Sequence, residues 1–210
     1  MPLKVIGEAT GPFAENTYVA IDEATGQAAV VDPGQGALDI WRRAEADGAV
    51  LERVLLTHAH LDHIWGLREL VEAVEVPVHL HLEDRFWIEN YVVSAAQWGF
   101  EVEPTVMPTD WWEHGDHVTV GETDFEVRHT PGHAPGHVAL CFDGGAFSGD
   151  LVMGFGIGRT DFPRCDPAAL KRSIREQIYT LPDETVLYPG HYSPARVVDE
   201  KTQNQFVRTE

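Results

Sequence analysis

Thr57-His58-Ala59-His60-Leu61-Asp62-His63 puts three imidazoles and a carboxylate within six residues. The segment follows a short strand predicted over residues 53–56. It precedes Ile64, Leu67, Leu70, Val71 and Val74, whose spacing is helical. It therefore reads as a loop at the carboxyl end of a strand. In extended backbone His58 and His60 point to one side, because side chains alternate with period two. The turn into the helix lets Asp62 and His63 face the same space from another angle. Imidazole and carboxylate suit Zn²⁺, and also Fe or Mn. In a chain with 11 histidines such a cluster can also be a solvated loop, so the other ligand-type residues decide the matter.

Three later segments each set such a residue beside glycine at the end of a predicted strand, where loops collect functional groups. They are Thr130-Pro131-Gly132-His133, Ser148-Gly149-Asp150 and Tyr188-Pro189-Gly190-His191. Strands are predicted over 3–8, 17–21, 27–31, 53–56, 78–80, 117–120, 124–128, 138–142, 146–148 and 184–188. Helices are predicted over 38–46, from 64 onward and over 83–98, and a polar loop runs from there to about 113. Asp166-Pro167 opens a further helix, an N-cap acid followed by proline at the first helical position. Leu170, Ile174 and Ile178 form an apolar stripe along it, most simply core. The chain is thus α/β, one domain over 1–210 with two strand-rich halves, approximately 1–114 and 115–210.

The 210 residues are 43% hydrophobic and 23% charged, which supports a real core and excludes a disordered or collagen-like chain. Thirty-four acidic against 15 basic residues give a net charge of −19. That argues against binding nucleic acid, which rests on Lys and Arg contacts to phosphate, and against anionic membrane surfaces. The last 52 residues hold eight acids and eight bases. Arg159, Arg164, Lys171, Arg172 and Arg175 among them are expected to form a basic patch beside the site. Two cysteines, Cys141 and Cys165, are too few for a disulfide framework and suit a reducing compartment. The N-terminus lacks a signal peptide's charged start and apolar run, and no stretch approaches the roughly 18 apolar residues of a membrane span. A soluble cytoplasmic protein with a small-molecule substrate is expected, its oligomeric state left open.

The order H-x-H-x-D-H, then His133, Asp150 and His191, resembles the metallo-β-lactamase superfamily from Val31-Asp32-Pro33-Gly34 to His191. Within it, Gly156-Ile157-Gly158-Arg159-Thr160-Asp161-Phe162-Pro163 and the run Thr130 to His137 (TPGHAPGH) resemble the short glyoxalase II-like hydrolases. Gly11-Pro12 with Glu15-Asn16-Thr17-Tyr18, and Asn204-Gln205-Phe206-Val207, add weaker support. The resemblance implies a four-layer αβ/βα sandwich with two divalent metal ions in the cleft between its sheets, zinc foremost and iron or manganese also suited. It implies His58, His60 and His133 on one metal, Asp62, His63 and His191 on the other, and Asp150 bridging them, with Asp32 in support. Asp62 and Asp150 then carry the catalysis. The implied reaction is hydrolysis of a thioester such as S-lactoylglutathione by a hydroxide shared between the metals, since coordination lowers the pKa of water towards 7. No Gly-x-Ser-x-Gly elbow offers a protein nucleophile. An aspartate at 150, where a β-lactamase-type site uses cysteine, argues against antibiotic hydrolysis.

Arg159 matches a basic position that contacts the glutathione part of the substrate in related enzymes, but it can equally hold its own loop through Asp161. His79 and His81 read as structural, His114, His117 and Trp111-Trp112 as surface or packing residues, and His129 and His137 as packing or as supports of the ligand imidazoles. Met153-Gly154-Phe155, Arg164-Cys165 and Tyr192 depart from the short group's usual pattern, all near the expected mouth. A mononuclear-iron persulfide dioxygenase, with iron at His58, His133 and Asp150, is the alternative on the same fold. Nuclease members share the metal motif, but no basic arm here suits RNA.

Overall fold

Successive side chains of a strand point to opposite faces, and this chain uses the alternation to serve a different core on each face. In the computed structural model, which describes residues 3–208, six strands form the first sheet in sequence order. They are β1 (Leu3–Thr10), β2 (Glu15–Asp22), β3 (Gln27–Val31), β4 (Val50–Leu55), β5 (Val78–His81) and β6 (Asp110–Trp112). The first three pair antiparallel, and from β3 onward pairing is parallel. Next come β7 (His117–Val120), β8 (Thr123–His129), β9 (Val138–Phe142), β10 (Gly145–Gly149), a small ribbon of β11 (Val152–Met153) and β12 (Gly156–Ile157), then β13 (Val186–Pro189) and β14 (Ala195–Arg196). The second sheet has the order β14-β13-β10-β9-β8-β7.

Ala20, Ala29, Val31 and Leu55 of the first sheet pack against Val120, Phe125, Val127, Leu140 and Phe147 of the second. Their neighbours Val19, Ala28, Val30 and Val54 belong to an outer core with Ile40 and Trp41 of α1 (Ala37–Ala46) and Leu67 and Leu70 of α2 (Leu67–Ala73). Trp87 of α3 (Arg85–Glu89) and Tyr91 of α4 (Tyr91–Gln97) complete that layer. Beyond the second sheet, Ala139, Cys141, Ala146 and Leu187 meet Leu170 of α5 (Pro167–Ser173), Ile174 and Ile178 of its wider π-type continuation, and Val197 of α6 (Val197–Gln203). The result is the expected four layers, helices outside two facing sheets. Leu170, Ile174 and Ile178 are core, and Asp166 caps α5 by accepting from Ala168 N (2.9 Å) and Ala169 N (3.0 Å).

Three expectations need correction. The single helix over 83–98 is a 3-10 turn at Leu82–Asp84 followed by α3 and α4, with the break at Asn90. There the Asn90 side chain donates to Phe86 O (2.8 Å), an example of a local side-chain bond competing with the helical ladder. The polar loop to 113 contains β6, which pairs with β5 and buries Trp112, whose indole N–H donates to Leu56 O (3.3 Å). The helix after the histidine segment begins at Leu67, because a 3-10 turn, Leu61–Ile64, first carries Asp62 and His63 round the corner. Among the described residues no helix is long and apolar enough to cross a membrane.

Phe125 is fully buried between the sheets. Urea denaturation of Phe125→Ala is expected to lose about 3–5 kcal/mol, against about 1 kcal/mol for Asp166→Ala, which removes only a cap. Equal losses would contradict this division between core and cap.

Candidate metal centre

β3 and β4 run parallel in one sheet, and so do β8, β10 and β13 in the other. Asp32, the histidine segment, His133, Asp150 and His191 each follow the carboxyl end of one of these five strands. Facing the sheets thus gathers loops distant in sequence at one edge. All seven residues singled out from the sequence as ligands meet there. The candidate ligand atoms of His58, His60 and His133 lie within 4.8 Å of one another, as do those of Asp62, His63 and His191. His60 Nδ1 is 2.8 Å from His133 Nε2, and His191 Nε2 is 3.2 Å from Asp62 Oδ2. Asp150 stands between the two groups, its Oδ2 3.3 Å from His133 Nε2 and 3.6 Å from His191 Nε2, and its Oδ1 3.5 Å from His63 Nε2.

The neighbours decide which ring nitrogens are free. His63 Nδ1 faces the Asp32 carboxylate at 3.0 Å and His133 Nδ1 faces Arg159 O at 2.7 Å; both partners only accept, so each Nδ1 carries the proton. Nε2 is then the ring atom that each turns towards Asp150, the orientation such outer partners usually give ligand imidazoles. Asp32 also accepts from Thr57 N (2.7 Å) and Thr57 Oγ1 (2.6 Å). These bonds hold it at φ 47°, a left-handed backbone uncommon for a residue other than glycine. His137 Nε2 accepts from Asp150 N (3.0 Å), so the ring supports the Asp150 backbone. At Gly190 a Cβ would collide with Asp150 Oδ1 and with the His63 ring, so only glycine lets the last loop approach this closely.

The donor set fits divalent cations. His58 Nε2, His63 Nε2 and Asp150 Oδ1 are buried without a hydrogen-bond partner, and such groups are costly unless something positive meets them. Burial, and then the surrounding imidazoles, hold the His58 and His60 pKa values well below the ordinary histidine value, so both rings are neutral at pH 7, the form a metal would take. For Asp150 burial works against the charge, yet His63 and His133 hold its carboxyl far below the usual range.

Some contributors had no clear sequence signal. Asp84, fully buried, accepts from Ala59 N (2.9 Å) with one oxygen and from Gly136 N (2.6 Å) with the other. It ties the histidine segment to the His133 loop, but in sequence it is one more acid before a helix. Asn16 and Tyr18 clamp the His191 loop: Asn16 Nδ2 donates to Pro189 O (3.0 Å) and Tyr192 O (2.7 Å), and Tyr18 OH to Pro189 O (2.7 Å). Their motif was visible, but its role was not. Glu15 lies buried beside His63, at 4.0 Å, and burial pushes its pKa well up.

The remaining candidates sort themselves by partner. Arg159 lines the cleft, but its fork binds Asp161 at 3.0 and 2.7 Å. Of the five residues expected as a basic patch, Arg159 alone is in the cleft wall; the Arg164 guanidinium lies 4.1 Å from the Phe86 ring centre. The clustering of bases in sequence does not become a clustering at the site, because Lys171, Arg172 and Arg175 lie on the helical run behind the second sheet. His79 stacks on Trp112 and His81 on His129. His114 accepts from His129 N, and His117 pairs with exposed Asp124.

Fold and centre together define a class. The family model described as metallo-beta-lactamase superfamily matches residues 10–191, and the chain belongs to that superfamily. Among relatives, it is 34% identical to a probable metallo-hydrolase, YqgX, of Bacillus subtilis, and 33% identical to the hydroxyacylglutathione hydrolase GloC of Haemophilus influenzae, each alignment covering 94% of both chains. Among solved structures it is similar to the BLEG-1 B3 metallo-beta-lactamase, with a TM-score of 0.91 and 30% identity over 98% of this chain and all of the other. It is also similar to TTHA1623 in a di-iron-bound form, with a TM-score of 0.88 and 34% identity over 96% of this chain and 100% of that one.

Asp84 yields a pH-dependent prediction. Burial, opposed by its two backbone bonds, pushes its pKa up to about 7 from the ordinary 3.8. Between about pH 4 and 7 the folded protein therefore keeps a proton that the unfolded chain has released, and this group's contribution to stability falls as pH rises through that window. In chelator-treated protein, Asp84→Asn should remove this decline from the denaturation profile. It should also weaken metal binding on the order of 10–100-fold, the usual cost of losing an outer support. An unchanged metal affinity would contradict the tie between the two loops.

Proposed function

We propose that the protein is a metal-dependent hydrolase with two divalent ions, acting on thioesters, with S-lactoylglutathione as the reference substrate. The observation that carries this reading is the position of Asp150 within 3.6 Å of donor nitrogens from both groups. A single-ion centre has no need of the second group, Asp62, His63 and His191. His58, His60 and His133 would hold one ion, Asp62, His63 and His191 the other, and Asp150 would reach both. The likeness to the Haemophilus influenzae hydroxyacylglutathione hydrolase favours the thioester. Zinc suits this nitrogen and oxygen set, as iron or manganese would. Free Cys141 and Cys165 are in keeping with a reducing, cytoplasmic setting.

When bound, the ions supply Lewis-acid polarisation of the carbonyl and lower the pKa of water towards 7. The chain's own residues supply the rest. Asp62 opens onto the cleft, and despite burial His63 and His191 keep it ionised, so it can take the proton that the attacking water loses. Asp32 holds the proton on His63 Nδ1, and Arg159 O does the same for His133. Water adds to the thioester carbon, the C–S bond breaks, and a carboxylic acid and a thiol leave.

Purified protein loaded with zinc, iron or manganese should release free thiol from S-lactoylglutathione and contain two ions per chain. Asp150→Ala should lose an ion and about 10²–10³-fold in kcat/KM, the scale of removing one electrostatic stabiliser of the transition state. Oxygen uptake with glutathione persulfide, one iron per chain and no thiol release would instead establish the dioxygenase.

A further inference from the structure

The cleft over the centre is a cavity of about 680 Å³ whose walls carry six aromatic side chains: Phe13, Trp87, Trp98, Phe162, Tyr192 and Phe206. Trp87 and Phe162 reach the centre itself, their rings 4.6 and 5.1 Å from that of His60. At the rim Trp98, Phe206 and Tyr192 are 45%, 57% and 70% exposed, a cluster of bare rings that no internal core accounts for. Tyr192 also stands on left-handed backbone, at φ 66°, directly after His191. A bulky side chain there costs energy that glycine would avoid. Its ring packs over Gly154 across the cleft mouth, where a Cβ would lie 3.2 Å from it.

The side chains of the same walls offer an anion no unpaired fixed cation among the described residues. Arg159 is the one fixed cation among the described residues that line the cavity, and Asp161 occupies its fork. The guanidinium carbon lies 4.7 Å from the Phe162 ring centre and 6.0 Å from that of Trp98, so it packs as part of the aromatic wall. A glutathione moiety brings two carboxylates, and no unpaired Lys or Arg among the described lining residues meets them. Ser94 and Gln97 are the neutral polar side chains of the wall.

We propose that the cleft selects thioesters carrying a bulky, uncharged aryl or alkyl group next to the scissile carbonyl, in place of a glutathione group. The proposal rests on the thioester reading above and narrows it. Trp98 and Tyr192 are the selecting residues at the mouth, while Trp87 and Phe162 receive the group beside the centre.

Two series of neutral thioesters test this with metal-loaded protein. One varies the acyl side, from acetyl to phenylacetyl on N-acetylcysteamine. The other varies the thiol side, from ethyl to benzyl thioacetate. In at least one series kcat/KM should rise tenfold or more with the aromatic group, and that substrate should surpass S-lactoylglutathione. Flat series, or S-lactoylglutathione as the best substrate, would overturn the proposal. Trp98→Ala and Tyr192→Gly should each lower the aromatic-to-small ratio at least threefold. Because Tyr192→Gly relieves left-handed backbone, its thermal stability should not fall, which separates lost selectivity from lost folding.

Should no thioester be cleaved, thioester hydrolysis itself fails, and selectivity is then read by binding. Quenching of tryptophan fluorescence by the uncleavable thioether S-benzyl-N-acetylcysteamine should report a Kd at least tenfold tighter than that for S-methylglutathione. Equal or weaker binding would overturn the aromatic preference.

Discussion

A carboxylate buried between two groups of imidazoles is the constraint on which this centre depends. Asp150 is buried, and a lone ionised carboxyl in such surroundings is far too costly to keep. It persists because rings from both sheets converge on it, within 3.3 to 3.6 Å. His58 and His60 beside them are held neutral by burial, so their lone pairs are open to any positive charge that enters. A centre of this kind suits cations, whose binding would join its chemistry and its stability in the same residues.

The fold serves that constraint by geometry. Facing two sheets across Phe125, Leu140 and Phe147 brings five strand ends to one edge. The loops then need only short reach, and bonds that cross between distant segments set their positions. Asp32 joins β3 to the histidine segment, Asp84 joins that segment to the His133 loop, and Asn16 with Tyr18 joins the first sheet to the His191 loop. Strain is stored where these bonds can pay for it, at Asp32 and Tyr192, both on left-handed backbone beside the site.

Much of this was legible in the sequence, for local reasons. Short runs of strand-forming residues marked the strands, Asp166-Pro167 announced α5, and the glycine-flanked ligand-type residues stood at strand ends where chemistry collects. Properties fixed by long-range neighbours were not legible. Asp84 cannot be told from any acid before a helix until Ala59 and Gly136 are placed against it. The break at Asn90 turns on one side-chain bond, to Phe86 O, and the short strand β6 on its pairing with β5, neither of which propensity encodes. The five basic residues near 159–175 were close in sequence, yet all but Arg159 point elsewhere in the fold. The net charge of −19 thus remains a property of the surface, while the cleft over the centre is lined by six aromatic side chains and, among the described residues, one fixed cation, Arg159.

Crystals grown with zinc and measured across its absorption edge test the central claim most directly. Two anomalous peaks should flank Asp150, one bonded by His58, His60 and His133 and the other by Asp62, His63 and His191, at ligand distances of about 2.0–2.2 Å. A single peak, or metal bound by Asp32 in place of Asp150, would contradict it.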